Sequence, residues 1–452
     1  MASLTAHRAP PDSPEAEPLL DQAARGDEIH HDSSMVSDAT LGADEHKDET
    51  IALRIAAAAW SFVVVGLFTS TTGVVIPHLE EHYKLTDIQV SAIFLVMPIG
   101  YIIASWRNDF IHNKFGQRGI ATIGPLCHLV YAATASFRPP FPVFLLAAAI
   151  GAFGIGLIDG SWCAWVAALR QANTLSGLLH GSFSTGAAIC PYLVGIMLSE
   201  SGSLWYRWFY VLSFASAIEI VVLLFAFRHE DSEKYHKSKL HQDIATGQAT
   251  KGAIFKYSAT WTYATYLLVY VGAECTISGW IVAFMLRVRH ASTYASSLCS
   301  SAFWAGMAAG RLMLGLVTDK LGVRRAVVIY LLFAPAFVVL FIVIRVLWFS
   351  VFSMALLGFF MGPLFPSSIV QLVELLPKEL HVASVSFVAS LGQVGGALLP
   401  YMLGAITQLV GLQVFQYMLL VQFAILLVIW IASFRLSAKK EFAEDDIRSH
   451  QD

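Results

Sequence analysis

The chain has 452 residues, 56% of them hydrophobic and 13% charged, with a formal net charge of −3 at pH 7. The charged share is about half that of an ordinary soluble domain and leaves too little polar surface to clothe a water-soluble protein. The composition implies an integral membrane protein embedded in a lipid bilayer, and the near-neutral balance gives no reason to expect a nucleic-acid partner.

Residues 1–50 hold twelve acids against three bases. They lack hydrophobic periodicity and the basic-then-apolar layout of a signal peptide, which predicts a disordered, uncleaved acidic tail. Within it, Glu15-Ala16-Glu17-Pro18-Leu19-Leu20 fits an acidic dileucine sorting signal. A spanning helix needs about 20 mostly apolar residues. Hydrophobic runs supply twelve, at about 52–77, 87–107, 119–137, 141–168, 174–198, 207–227, 256–285, 293–317, 326–345, 347–375, 382–408 and 413–434. The expected fold is an all-α membrane protein of twelve transmembrane helices. Six lie in residues 51–227 and six in residues 256–435, joined by a polar linker at 228–255 and followed by a short tail at 436–452.

The two sets of six are copies. Gly272, Gly279 and Gly306 follow Gly66, Gly73 and Gly100 by 206 positions, and Gly395, Pro400, Tyr401 and Gly404 follow Gly186, Pro191, Tyr192 and Gly195 by 209. Repeats in the same order predict two pseudo-symmetric halves. Lys and Arg collect on one side of the bundle, among them Arg107, Lys114, Arg118, Arg228, Lys234, Lys320, Arg324, Arg325 and Lys439. By the positive-inside rule that side, with both termini and the linker, is cytoplasmic, which requires an even number of crossings.

The clearest motif is Gly315-Leu316-Val317-Thr318-Asp319-Lys320-Leu321-Gly322-Val323-Arg324-Arg325, following the eighth run. Its degraded copy holds Asp109 where the glycine should stand, Asn113 in place of the aspartate, then Gly116 and Arg118. Twelve spans in two parallel halves with this loop and a long central linker resemble the major facilitator superfamily, over about residues 52–434. Gly154-Ile155-Gly156-Leu157-Ile158-Asp159 in the fourth run, Gly272-Ala273-Glu274 in the seventh, and Phe303-Trp304-Ala305-Gly306 are similar to the fucose-permease-like branch, in particular its fungal members. That resemblance implies the major facilitator fold, cytoplasmic gate loops at Asp109, Asn113, Arg118, Gly315, Asp319, Arg324 and Arg325, and a coupling role for Asp159. Here the acid is shorter than the usual Glu, Cys163 replaces a common Asn, and Gly73 stands where sugar-proton relatives carry a second acid. One acid therefore remains in the first half, with Glu274 of the second half as the candidate for the other.

Ionised side chains inside a span cost roughly 2.5–3.5 kcal/mol each, so each needs a partner, an aqueous cavity or a proton. Asp159 lies near the bilayer midplane, where transporters of this architecture place their sites. Its helical neighbours include Trp162 and Cys163, which predicts a carboxylate, an indole and a thiol on one cavity face; the alternative is a carboxyl that fixes helix packing. Glu274 reads as coupling or substrate binding, or as a structural hydrogen bond. Arg311 reads as a guanidinium snorkelling to the inner interface, about 18 Å in depth from Glu274 and not paired with it. Glu219 is a structural anchor or an inner-gate acid, and Glu374 is interfacial. His180 is a proton relay or a hydrogen-bonded structural group. Trp280, Trp304 and Gln393 are candidates for the substrate cavity or for packing between helices.

The cysteines Cys127, Cys163, Cys190, Cys275 and Cys299 fall in hydrophobic runs without ligand spacing, which predicts neither disulfides nor a metal. Phosphate-loop and nucleophile-triad patterns are missing, so neither an enzyme nor ATP-driven transport is expected, and no cofactor. The sequence reading is a secondary transporter, proton-coupled and monomeric, that moves a small polar, sugar-like solute by alternating access. Efflux of a secondary metabolite and a non-transporting nutrient sensor are the alternatives. The plasma membrane is the first expected location, with a vacuolar or endosomal membrane as the alternative suggested by Glu15, Leu19 and Leu20.

Overall fold

The computed structural model describes residues 33–169, 172–201, 204–236, 253–377 and 380–436, and helices dominate them. Ten helical runs are long and apolar enough to cross a membrane. In hydrocarbon, a helix satisfies its own backbone groups, which is why apolar runs of this length take that form.

One of the ten runs, Asp87–Ser136, makes two crossings. At Gly116 the backbone leaves helical geometry (φ 69°, ψ −167°), which separates a second span from a third. The fourth span records the reversal. Gly100 and Ala104 meet it at Ala149 and Gly156, whereas Gly124 and Tyr131 meet it at Ile158 and Gly151, in the opposite order. A further helix, Thr293–Leu321, is long enough to cross but richer in serine and charge, and it completes twelve. The other spans are Thr50–Tyr83, Phe141–Ala167, Thr174–Ser199, Arg207–Ala226, Ser258–Arg287, Val323–Val343, Leu347–Leu375, Ala383–Val410 and Val414–Ser433. The tenth is broken between Met361 and Leu364, where Gly362 and Pro363 intervene and Pro363 has no N–H to give.

The internal repeat is visible in the backbone. Gly116 and Gly322, 206 positions apart, both turn the chain at positive φ, a region that glycine alone enters without strain. A Cβ on Gly100 would lie 2.1 Å from the Ala149 carbonyl oxygen, and one on Gly306 would lie 1.9 Å from that of Ala355, again 206 positions on. The second and fourth spans thus touch as the eighth and tenth do, and close approach through small residues substitutes for the hydrophobic effect in a bilayer. The fold is the major facilitator arrangement of two pseudo-symmetric six-helix halves.

The side from which residues 229–256 leave and re-enter is here the linker side, and the opposite one the far side. Contacts between halves are dense toward the far side. A Cβ on Gly73 would meet the Ser278 carbonyl at 1.9 Å, Gly279 faces the Phe94 ring, Gly195 faces Ser297, and Gly404 faces Ser91. At the far end, Arg287 of the second half binds Asp87 at 2.7 Å and also Glu80, both of the first half.

Two expectations about the polar segments change. The first helix begins at Ser33, so residues 33–50 are helical, as Ala39, Leu41, Ala43, Glu45, Lys47 and Glu49 favour; residues 1–32, with the dileucine signal, lie outside the described residues. The start of the linker is docked. Arg54 binds Glu230 at 2.8 Å, Tyr235 donates to Asp109 at 3.3 Å, and the Tyr235 ring stacks on His112 at 4.9 Å. Polarity alone reads as a free linker, but these side chains find partners on the loop around Gly116. Residues 237–252 and 437–452 lie outside the described residues.

Candidate functional site

The site begins at the glycines of the fourth span. A Cβ on Gly156 would come within 3.0 Å of the Tyr101 carbonyl, so the second and fourth spans touch one turn before Asp159. This brings the Tyr101 hydroxyl to Asp159, to whose Oδ2 it donates at 2.5 Å, while the Cys163 thiol donates to Oδ1 at 3.5 Å. Asp159 is half-buried. On the fifth span, His180 lies within electrostatic range of both Asp159 and Arg311.

The second half contributes Glu274 and Arg311. Arg311 Nη2 lies 3.9 Å from Glu274 Oε1, with both side chains largely shielded. The expectation that these two residues stand apart, with Arg311 at the inner interface, is therefore corrected. The seventh helix runs Ser258–Arg287 and the eighth Thr293–Leu321, so the two Cα depths differ by only about 9 Å at the rise of an α-helix, a gap that an extended arginine closes. Arg311 also crosses to the first half, where Nη1 donates to Ser184 Oγ at 2.6 Å and to the His180 carbonyl at 3.4 Å.

The aromatic candidates are placed elsewhere. Trp162 is fully buried in the first half, stacked on Phe227 with centroids 4.3 Å apart, and its Nε1 has no partner. Trp280 is sealed against the eleventh span and donates to the Pro400 carbonyl at 3.0 Å. Trp304 donates to Ser278 Oγ at 3.1 Å and meets Phe183 of the other half edge-on at 5.6 Å. Gln393 is half-buried on the eleventh span. Of the residues expected at the cavity, the structure groups Asp159 with Cys163, and Glu274 with Arg311, and keeps Trp162 apart.

The loop residues divide between the copies. Asp109 accepts from Asn113 at 2.9 Å as well as from Tyr235, and the Arg118 backbone N–H donates to the Glu230 carbonyl at 3.0 Å. The degraded loop is thus held by the start of the linker. In the intact copy, Arg324 Nε donates to Gln371 at 2.9 Å, Gly315 faces open space, and Asp319 and Arg325 are exposed.

Two further acids lie outside this cluster. Glu219 is completely enclosed within the first half, where it accepts from Ser61 at 2.5 Å and pairs with His128 Nδ1 at 2.9 Å. It is an anchor joining the first, third and sixth spans, not a gate acid. Glu374 accepts from Gln371 beside the linker-side loop. Sequence reasoning missed Tyr101 and Ser184, for a neighbouring helix's hydroxyl leaves no periodic signal; the one hint was the Gly100–Gly306 repeat beside Tyr101.

The arrangement offers two carboxyl groups, one from each half, with donors able to stabilise either ionisation state and a cation between them. Among the described residues no cluster of three or more His, Cys, Asp or Glu could hold a metal ion. The family model for the Major Facilitator Superfamily matches residues 58–298 and 276–449. The chain is 29% identical over 412 residues to Bypass of stop codon protein 6 of Saccharomyces cerevisiae, covering 84% of this chain and 82% of that protein. It is 20% identical to the glucose/mannose transporter GlcP of Bacillus subtilis over 76% of this chain and 85% of that one. Among solved structures, a D-xylose-proton symporter superposes with a TM-score of 0.67 at 12% identity, over 84% of this chain and 97% of that one.

Proposed function

The chain belongs to the major facilitator superfamily, and from that premise we propose that it is a proton-coupled secondary transporter of a small polar, sugar-like solute. The two six-helix halves rock about the polar groups between them. The observation that carries this reading is the pairing across the boundary. Asp159 is bound to Tyr101 and Cys163 on one side, and Glu274 stands beside Arg311, which reaches back to Ser184, on the other.

A carboxylate in a dry mid-membrane site is expensive as a charge and much cheaper as a neutral acid, so protonation accompanies its passage between the two open states. The sugar-like class is supported by the names of GlcP and of the xylose symporter. The bond from Arg287 to Asp87 and Glu80 belongs to a state closed on the far side. The excess of bases on the linker side supports a cytoplasmic linker and termini. A monomer suffices, because the two halves of one chain enclose the site, and the plasma membrane is the proposed location.

The test is uptake of a panel of labelled sugars into vesicles, with and without an imposed pH gradient. Asp159→Asn, which imitates the protonated acid, is expected to abolish accumulation driven by the gradient while exchange between equal pools continues. Glu274→Gln should give a milder loss. Normal gradient-driven accumulation by Asp159→Asn would remove Asp159 from coupling, and a wild type indifferent to the gradient would remove proton coupling itself.

A further inference from the structure

Three charged side chains meet at the boundary between the halves: Asp159 from the first, Glu274 and Arg311 from the second. Facing Asp159 are Tyr101 and Cys163, with His180 in range from the fifth span. Facing Glu274 are Tyr270, Cys275 and Arg311. With a neutral His180, the set carries two negative charges and one positive. A shielded cluster is least unfavourable near zero net charge. One proton brings this set there, and a second would overshoot.

The posture of Arg311 shows how that proton can be shared. Its Nη1 is given to the Ser184 hydroxyl and the His180 carbonyl, across the boundary. Its Nη2 lies 3.9 Å from Glu274, longer than a hydrogen bond. The guanidinium is therefore committed to neither acid and sits within a short side-chain movement of its own half's carboxylate. We propose that Arg311 is a positioning residue that fixes the proton count of the central cluster at one and decides which acid holds it: the acid Arg311 faces stays ionised, and the other takes the proton. Turning toward Glu274 leaves Asp159 to be protonated. Turning toward the fifth span compensates Asp159, and the proton passes to Glu274 or leaves. The assignment rests on the proton-coupled reading and adds to it the number of protons and the residue that sets that number.

The experiment is a pH titration of the full chain in lipid nanodiscs by difference infrared spectroscopy, which reads the carbonyl stretch of protonated carboxyl groups without any solute. The wild type is expected to show one titrating carboxyl that neither Glu219 nor the surface acids account for. Glu274→Gln and Asp159→Asn each leave Arg311 a single acid to face, so each should lose that band at neutral pH. Arg311→Gln should instead double it, and Arg311→Gln with Glu274→Gln should return it to one. Arg311→Lys and Ser184→Ala, which keep the charge, should stay at one.

If Arg311 serves only to tie the fifth span, Arg311→Gln will keep a single carboxyl, and that result overturns the assignment, as would a second carboxyl in Ser184→Ala. Should Arg311→Gln fail to fold, the neutral-pH loss in Glu274→Gln carries the test, and a band unchanged there is equally fatal. Wild-type uptake indifferent to a pH gradient, alongside a doubled band in Arg311→Gln, would remove the transport coupling and leave the charge count standing.

Discussion

Glu219 and Asp159 are both carboxyl groups within the first half, and their surroundings differ in kind. Glu219 is enclosed by helices of one half, with each oxygen engaged, by Ser61 and by His128. Asp159 is half-buried, and its Tyr101 and Cys163 partners leave it within range of His180 and, beyond that, of Arg311 in the other half. A group whose partners all lie in one rigid body keeps them as the bodies move. A group at the boundary exchanges partners, and only such a group can couple a proton to the motion. The difference separates fastening from working acids without reference to depth, since both lie within spans.

The sharpest way to break this comparison is Glu219→Gln. Removing the charge from a fully enclosed pair leaves His128 facing an amide, and the expected loss is about 1–3 kcal/mol of stability. It should be read as a lower melting temperature in detergent. The surviving folded protein should show the wild-type dependence of uptake on the pH gradient. A changed dependence with an unchanged melting temperature would put Glu219 among the working acids.

A smaller effect is expected at the far side. Arg287 is the second half's cation on Glu80 and Asp87, and the far side can open only if both bonds part. The pair is partly exposed, so each bond contributes modestly, on the order of 1 kcal/mol. Arg287→Gln should therefore shift the population toward far-side opening by roughly 5–10-fold. The shift can be measured as the labelling rate of a cysteine placed at Ser91, which lies against Gly404 when the halves are closed. Glu80→Gln should move the rate in the same direction, and no change in either would mean that apolar packing at Gly73 and Gly279 alone holds this side.

Much of the fold was legible because its signals are linear. Twelve apolar runs, glycines repeated at 206 and the paired loop motif each correspond to something local: a span, a close helix approach, a turn at positive φ. The charged groups of the site could be found for the same reason, since Asp159, Glu274, Arg311 and Glu219 are conspicuous in apolar surroundings. What could not be read was which of them meet. The Arg311–Glu274 approach depends on where two helices end and how far a side chain reaches, and depth counting from approximate edges put them twice too far apart. Tyr101 and Ser184 carry no signal at all, because a hydroxyl matters only once a neighbouring helix has brought it near. Depth likewise did not tell Glu219 from Asp159, for enclosure is a property of several helices together.

Trp162 sharpens the comparison at its finest scale, because it lies three residues after Asp159 on the same helix and yet belongs with the enclosed groups. A step of three residues turns a helix about 60° short of a full revolution, enough here to take the indole from the boundary into the first half's core, flat on Phe227. Trp162→Phe preserves that stack and removes an Nε1–H that is buried without a partner, while it leaves a gap where the larger ring had been. The two effects oppose each other, since losing an unsatisfied donor is favourable by about 1 kcal/mol and a partly collapsed cavity costs about 1–2 kcal/mol. The expected outcome is a small net loss of stability, below about 1.5 kcal/mol, with solute affinity and the pH dependence of uptake unchanged. Competition by unlabelled solute in the vesicle assay, run beside a thermal melt, distinguishes the cases. An affinity reduced more than about 5-fold at an unchanged melting temperature would mean that the indole touches solute, and that the boundary between enclosed and working groups runs along the other face of the fourth span.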